Sequence, residues 1–233
     1  MIVGKGLLAS VFDPLILRRH DPIIFASGVS NSAETRSDCF AREATLLEQH
    51  LTMQRSLFVY FSTCSVTDPD RIETRYVQHK LAMERKVIEQ AERYLILRLP
   101  QVVGHTCNPH TLTNFLAGKI RAFEEFSLWQ SATRCLIDVE DVSKITEHLI
   151  EHDASASRLE ELAPPETVNM DELVATLEET LNIKALCKRL PLGGGSIPDP
   201  TLAITVGNLL GIDFSRGYTR RLIRKYYGSC HAS

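Results

Sequence analysis

No run of apolar residues in this 233-residue chain approaches the roughly 18–20 needed to cross a bilayer, so no membrane partner is expected. An excess of basic charge is missing too: 26 Lys and Arg stand against 29 Asp and Glu, a formal charge of −3. Proteins hold nucleic acid through clustered Lys and Arg on phosphates, so nucleic acid is not an expected partner. The six cysteines, Cys39, Cys64, Cys107, Cys135, Cys187 and Cys230, include no C-x-x-C pair. That excludes a zinc ribbon and a compact disulfide framework. Reduced thiols in a cytoplasmic protein are the simplest account. "HTCNPH", 105–110, gathers two histidines and a cysteine in a spacing that suits no common metal site, so no metal is expected. Internal repeats and low-complexity tracts are absent. "MIVGKGLLASVF" has one lysine and a short apolar run, but it reads better as a strand and a glycine turn than as a secretory leader.

What is present is ordinary for a globular protein: 44% apolar and 24% charged residues, enough for one α/β domain or one with a small appendage. "PIIFASG" (22–28), "SLFVYFS" (56–62) and "LILRLP" (95–100) are continuous apolar runs that read as core strands. Between them, 38–54 and 72–94 have helical spacing and strong helix formers, and "LLASVF" reads as the start of a first helix. Buried strands alternating with amphipathic helices imply a parallel sheet with helices on both faces. Further on, 111–123 reads as a helix, 134–152 as a strand running into a helix, and 169–182 as a helix preceded by a strand and a proline turn. "GGGSIPDP" reads as a loop, and "RGYTRRLIRKYYGSCHAS" as a basic terminal helix whose charge is most simply a solvated face, with phosphate binding as the other reading.

Two motifs carry chemistry. "GKGLLA" fits G-x-G-x-x-A through Gly4, Gly6 and Ala9, directly after a strand. There the glycines allow a tight turn and close approach to a pyrophosphate. The acidic residue expected about 20 residues on, at the end of a second strand, has no counterpart: Asp21 precedes "PIIFASG", and Arg18 and Arg19 lie nearby. NAD and NADP therefore both remain open. The second motif is Tyr76 and Lys80 in "YVQHK", thirteen residues after Thr63 in "FSTCS". At i and i+4 on a helix they share one face. A lysine and a cationic nicotinamide ring both favour the phenolate, which suits proton transfer beside a hydride donor. The plain alternative is a helix-surface pair.

In this order, the residues resemble the short-chain dehydrogenase/reductase superfamily, most closely its extended branch, which modifies nucleotide-activated sugars. "STCSV" is similar to that branch's S-[ST]-x-x-V strand end, "YVQHK" is its Y-x-x-x-K motif, "LILRLPQVVG" resembles the strand after the catalytic helix, and "RCLIDVEDVSKI" and "ETVNMDELVATLEETL" resemble later segments. The resemblance implies a shortened Rossmann-like doubly wound parallel sheet with a small C-terminal substrate-binding region. Residues 1–105, rejoined by about 134–152, would form the nucleotide-binding core; 106–133 and 153–233 would form the substrate region. It implies an NAD(P)-dependent epimerase or keto-reductase, with Thr63, Tyr76 and Lys80 catalytic and Lys80 also on the nicotinamide ribose. Cofactor contacts would come from Gly4, Lys5, Gly6, Leu7, Ala26, Ser27, Gly28, Ser62, Tyr76, Lys80, Pro100, Gln101 and Val102. Substrate contacts would come from Cys64, Ser65, Asn108, Asn114 and Arg134. A dehydratase of this family carries an acidic pair after the threonine, where this chain has Cys64 and Ser65. A homodimer through the long helices is the family's usual arrangement.

The chain departs from the family in one large respect. "PIIFASGVSNS" resembles the fourth strand, yet it follows the first helix almost at once. The second strand, second helix and third strand, which build the adenosine pocket, have no counterpart. This opens a second hypothesis, a non-catalytic or cofactor-deficient member of the fold acting as a binding or partner subunit, against which the retained Thr63, Tyr76 and Lys80 argue.

Overall fold

The computed structural model describes residues 1–52, 56–152 and 157–228. Strands β1 (Ile2–Val3), β2 (Ile23–Phe25), β3 (Phe58–Thr63), β4 (Tyr94–Leu99) and β8 (Arg158–Glu161) form one sheet in the order β1-β2-β3-β4-β8. Every pairing is parallel. All six residues of β3 are buried, as a strand covered on both faces requires. Alternate residues face opposite ways. Phe58 and Tyr60 join Leu47 and Leu51 of α2 (Ser37–Thr52) and Met83 and Val87 of α3 (Arg75–Gln90). Val59 and Phe61 join Ile16 of α1 (Pro14–His20) and Val142 and Ile145 of α5 (Val139–His152). The architecture is a doubly wound, Rossmann-like α/β sheet. On the far side of β1 no strand pairs among the described residues, so β1 is an edge.

The remaining elements extend the core. β7 (Thr133–Asp138) pairs parallel with β5 (Gln101–Val103) and antiparallel with β9 (Thr167–Asn169). β6 (Phe126–Trp129) pairs with β10 (Cys187–Leu190). Helices α4 (Leu112–Arg121), α6 (Met170–Leu181), α7 (Thr201–Leu210) and α8 (Tyr218–Tyr227) pack around them, and their inward side chains belong to the same apolar cluster as Phe61 and Val142.

Several boundaries differ from the sequence pattern. "LLASVF" forms only a 3-10 turn, Leu8–Ser10. The α-helix starts instead at Pro14, where Asp13 Oδ1 accepts the Leu15 N–H at 2.8 Å. Proline at the first helical position, behind an aspartate cap, sets that start. Helix α3 begins at Arg75 rather than 72, because Thr74 Oγ1 accepts the Val77 N–H. Residues 53–54 of the second helical pattern, and 229–233 of the terminal one with Cys230, lie outside the described residues.

Candidate active site

The carboxyl ends of β1 to β4 meet at one edge of the sheet. Gly4 follows β1 with φ +132°, and a Cβ there would lie 2.4 Å from the Ala26 carbonyl oxygen. Only glycine lets the turn lie so close to the end of β2. Lys5 and Gly6 are left exposed, and Leu7 reaches across to Gly104 beyond β5. After β2, Ser27 is held by Arg42: Nη1 donates to its Oγ at 3.3 Å and Nη2 to its carbonyl at 3.2 Å. At the end of β3, Ser62 Oγ donates to Glu84 Oε1 at 2.5 Å, and Glu84 receives both Nε and Nη2 of Arg98 at 3.0 and 2.7 Å. Ser62 is thus tied into a buried ion-pair network. Thr63 Oγ1 accepts the Ser65 N–H at 3.2 Å and so starts the 3-10 turn Cys64–Thr67.

Tyr76 and Lys80 both face inward, 8% and 3% exposed, so they are not a helix-surface pair. Tyr76 sits in a small apolar cluster with Val29, Val66 and Val77, and its hydroxyl makes no hydrogen bond among the described residues. Lys80 has polar surroundings. Its Nζ donates to Glu43 Oε1 at 3.1 Å, to the Tyr60 hydroxyl at 3.2 Å and to the Phe61 carbonyl at 3.4 Å. Glu43 is fully buried. Burial alone would raise its pKa. The Lys80 ammonium, His79 and the Val29 N–H outweigh that and hold the carboxyl far below the usual carboxylate range. Tyr60 donates to Glu43 Oε1 at 2.9 Å, and burial together with that carboxylate pushes its phenol well up. His79 Nε2 lies 3.0 Å from Glu43 Oε2 without an aligned hydrogen bond. Glu43 was not singled out from the sequence. Its signal was there: it falls on the inward stripe of α2, three residues after Phe40 and four before Leu47.

Cys64, Ser65, Pro100, Gln101 and Arg134 line one small cavity of about 50 Å³, together with Asp68 and Arg71. The loop residues Gly195, Ser196 and Pro198 close it. Arg134 Nη1 donates to the Thr133 and Gly194 carbonyls at 2.8 and 3.2 Å. Burial, and then the neighbouring Arg71 guanidinium, lower its pKa against the pull of Asp68. Arg71 Nε is buried without a hydrogen-bond partner. Arg71 Nη2 donates to the Ser32 carbonyl at 3.4 Å. Arg71 and Arg134 thus line this cavity bonded to carbonyls, with no ion pair among the described residues, an arrangement suited to a bound anion. Arg71 lines this cavity and was not foreseen from the sequence.

Other expected contacts lie elsewhere. Asn114 Nδ2 donates to the Thr106 and Asn108 carbonyls at 2.8 and 2.9 Å, and its Oδ1 accepts the Tyr227 hydroxyl at 2.6 Å. Asn108 Nδ2 reaches Ser30 Oγ at 3.1 Å. Neither lines the cavity. Burial pushes the Cys64 thiol strongly up and that of Cys135 to about 12, so both are protonated at neutral pH and neither is a nucleophile. Among the described residues no group of three or more His, Cys, Asp or Glu is placed to hold a metal ion, and no helix is long and apolar enough to cross a membrane.

A comparison with curated proteins found no match. Solved structures share the fold. The Bordetella bronchiseptica enzyme WbmH, in complex with NAD+, aligns at a TM-score of 0.68 with 15% identity over 97% of this chain and 80% of that one. The UDP-glucuronic acid 4-epimerase of Bacillus cereus, in complex with UDP-glucuronic acid and NAD, gives 0.67 with 15% identity over 96% and 77%. RMD of Pseudomonas aeruginosa, complexed with NADPH, gives 0.66 with 16% identity over 95% and 84%. The family model described as NAD dependent epimerase/dehydratase matches residues 21–169, well over half of the sequence, from β2 through the tyrosine helix to β9. The chain belongs to the NAD dependent epimerase/dehydratase family.

Proposed function

We propose that this chain acts on a nucleotide-activated sugar with a nicotinamide dinucleotide, NAD or NADP, and that its net reaction is keto-reduction or epimerisation rather than dehydration. One observation carries the reading. Gly4, Ala26, Ser27, Gly28, Thr63 and Gln101 gather at the carboxyl ends of neighbouring parallel strands, with the Arg71–Arg134 cavity beside Cys64 and Ser65. Open α/β sheets bind their ligands there. The neighbours of this fold are complexes with NAD, NADPH and UDP-glucuronic acid, which supports the same ligand classes here.

The frame fits the dinucleotide at the glycine turn and not at the lysine. The turn at Gly4 lies flat on Ala26 and leaves Lys5 and Gly6 open to a phosphate. Lys80 is already bonded to Glu43. When bound, the dinucleotide supplies hydride chemistry. The chain's own residues do the rest: Thr63 hydrogen-bonds the reacting oxygen, Tyr76 holds the transferable proton at its phenol oxygen, and Arg71 and Arg134 clamp a diphosphate.

The second reading, a non-catalytic partner subunit, draws on the same bonded lysine and on the sheet that ends at β1. Titration with NADH and NADPH, followed by nicotinamide fluorescence, separates the two. The enzyme reading expects saturable binding below millimolar concentration. It also expects a new sugar signal by NMR when UDP-glucose or UDP-glucuronic acid is incubated with the protein and cofactor. Absence of binding for both nucleotides sinks it.

A further inference from the structure

A carboxylate on the inward stripe of a helix is costly to bury unless it is paired and hydrogen-bonded. Glu43 meets both conditions. Oε1 accepts from Tyr60 and Lys80, and Oε2 accepts from the Val29 N–H at 2.6 Å with His79 beside it. The lysine is equally committed. An ammonium has three donors, and Lys80 directs its contacts to Glu43, Tyr60 and the Phe61 carbonyl. Gly28 closes the remaining side, since a Cβ there would stand 2.6 Å from the Lys80 nitrogen and 3.1 Å from Glu43 Oε1. The pair is thus seated directly under the loop that follows β2, beside the sheet edge described above. Nothing in the ammonium's coordination is left for a sugar hydroxyl.

We propose that Glu43 is a positioning residue that holds the Lys80 ammonium in a buried pair, so that a nicotinamide ribose can engage Lys80 only by taking it from Glu43. The inference rests on the reading that this sheet edge receives a nicotinamide dinucleotide. A neutral hydroxyl is a weaker partner for a buried ammonium than a carboxylate is. The lysine therefore stays with Glu43 unless the rest of the dinucleotide supplies the difference. If the released state makes up no more than about a tenth of the population, the apparent affinity falls about tenfold. Removing the charge at position 43 should return that factor, and should do so through Lys80 alone.

The test compares dissociation constants for NADH and NADPH in the native chain, Glu43→Gln, and Glu43→Gln combined with Lys80→Met, with thermal midpoints recorded for each. The expected result is binding at least about tenfold tighter in Glu43→Gln. That gain should be lost in the double variant, because a merely structural effect at position 43 would not depend on the lysine. Should Glu43→Gln fail to fold, Glu43→Asp draws the carboxylate back by one methylene and carries the same expectation in smaller measure. Native binding with an unchanged or weaker Glu43→Gln overturns the inference and leaves the proposed function standing, as does a gain that persists without Lys80. Binding by Glu43→Gln but not by the native chain upholds the capture and removes cofactor use from the native protein. Binding by no variant overturns both.

Discussion

Tyr76 and Lys80 lie one turn apart on the inner face of α3, yet they meet opposite surroundings. The tyrosine ring is packed in an apolar cluster with its hydroxyl uncommitted, while the ammonium is saturated by Glu43, Tyr60 and a carbonyl. Tyr76→Phe deletes a hydroxyl that bonds to none of the described residues. Its unfolding free energy should stay within about 0.5 kcal/mol of the native value. Turnover should fall by on the order of a hundredfold or more, the usual worth of a general acid–base group. An unchanged kcat would remove Tyr76 from proton transfer. The pH dependence of stability isolates Glu43 in the same way. Its folded pKa is depressed below the ordinary value of 4.5, so its contribution is present in full above that pH and is lost as the pH falls below it toward the folded value. Between pH 6 and pH 3 the native melting temperature should drop more than that of Glu43→Gln; parallel curves would show that the carboxylate is not held by its neighbours. The spacing of "YVQHK" was legible in the sequence because i and i+4 always share a helix face. The inward placement of Glu43 was legible too, on the stripe of α2, but its pairing with Lys80 was not, because the packing of α2 on α3 and not any local spacing brings the two together.

At the scale of elements, the long apolar runs at 56–62 and 95–100 became β3 and β4 almost residue for residue, since a strand buried on both faces leaves an unbroken apolar signature. Elements stabilised by distant partners left no such trace. β6 alternates buried and exposed residues and finds its pairing only with β10, far along the chain. The glycine motif was legible as a turn but not as a helix start, because Asp13 and Pro14 delay α1. Its two glycines also differ. Gly4 has positive φ and backbone contact at the Cβ position, whereas a Cβ on Gly6 would meet nothing within 4 Å. Gly4→Ala should therefore cost about 1–3 kcal/mol or more through strain and the clash with Ala26. Gly6→Ala should stay within about 0.5 kcal/mol of the native value. Urea midpoints of the two variants measure the contrast. Equal shifts would mean that the turn at Gly4 can relax away from β2.

For the molecule as a whole, the question is whether the C-terminal region is a unit of its own. The family resemblance implied a nucleotide-binding core of residues 1–105, rejoined by about 134–152, and a substrate region of 106–133 and 153–233. One apolar core spans both sets of residues. One apolar cluster runs from Phe12 and Val59 through Leu136 to Leu222 and Ile223, and the Tyr218 hydroxyl of α8 donates to Asp141 at the start of α5 at 2.7 Å. A shared core of this kind should melt cooperatively. The single tryptophan, Trp129 on β6, reports on the C-terminal side, and far-UV circular dichroism reports on all helices. The two probes should give coincident urea transitions. Ile223 is fully buried on α8, so Ile223→Ala should lower stability by roughly 2–5 kcal/mol and shift both probes together. If the fluorescence transition moved alone, α8 would belong to a region that unfolds apart from the sheet, and the Glu43–Lys80 pair beneath the sheet edge would be insulated from changes in the C-terminal half.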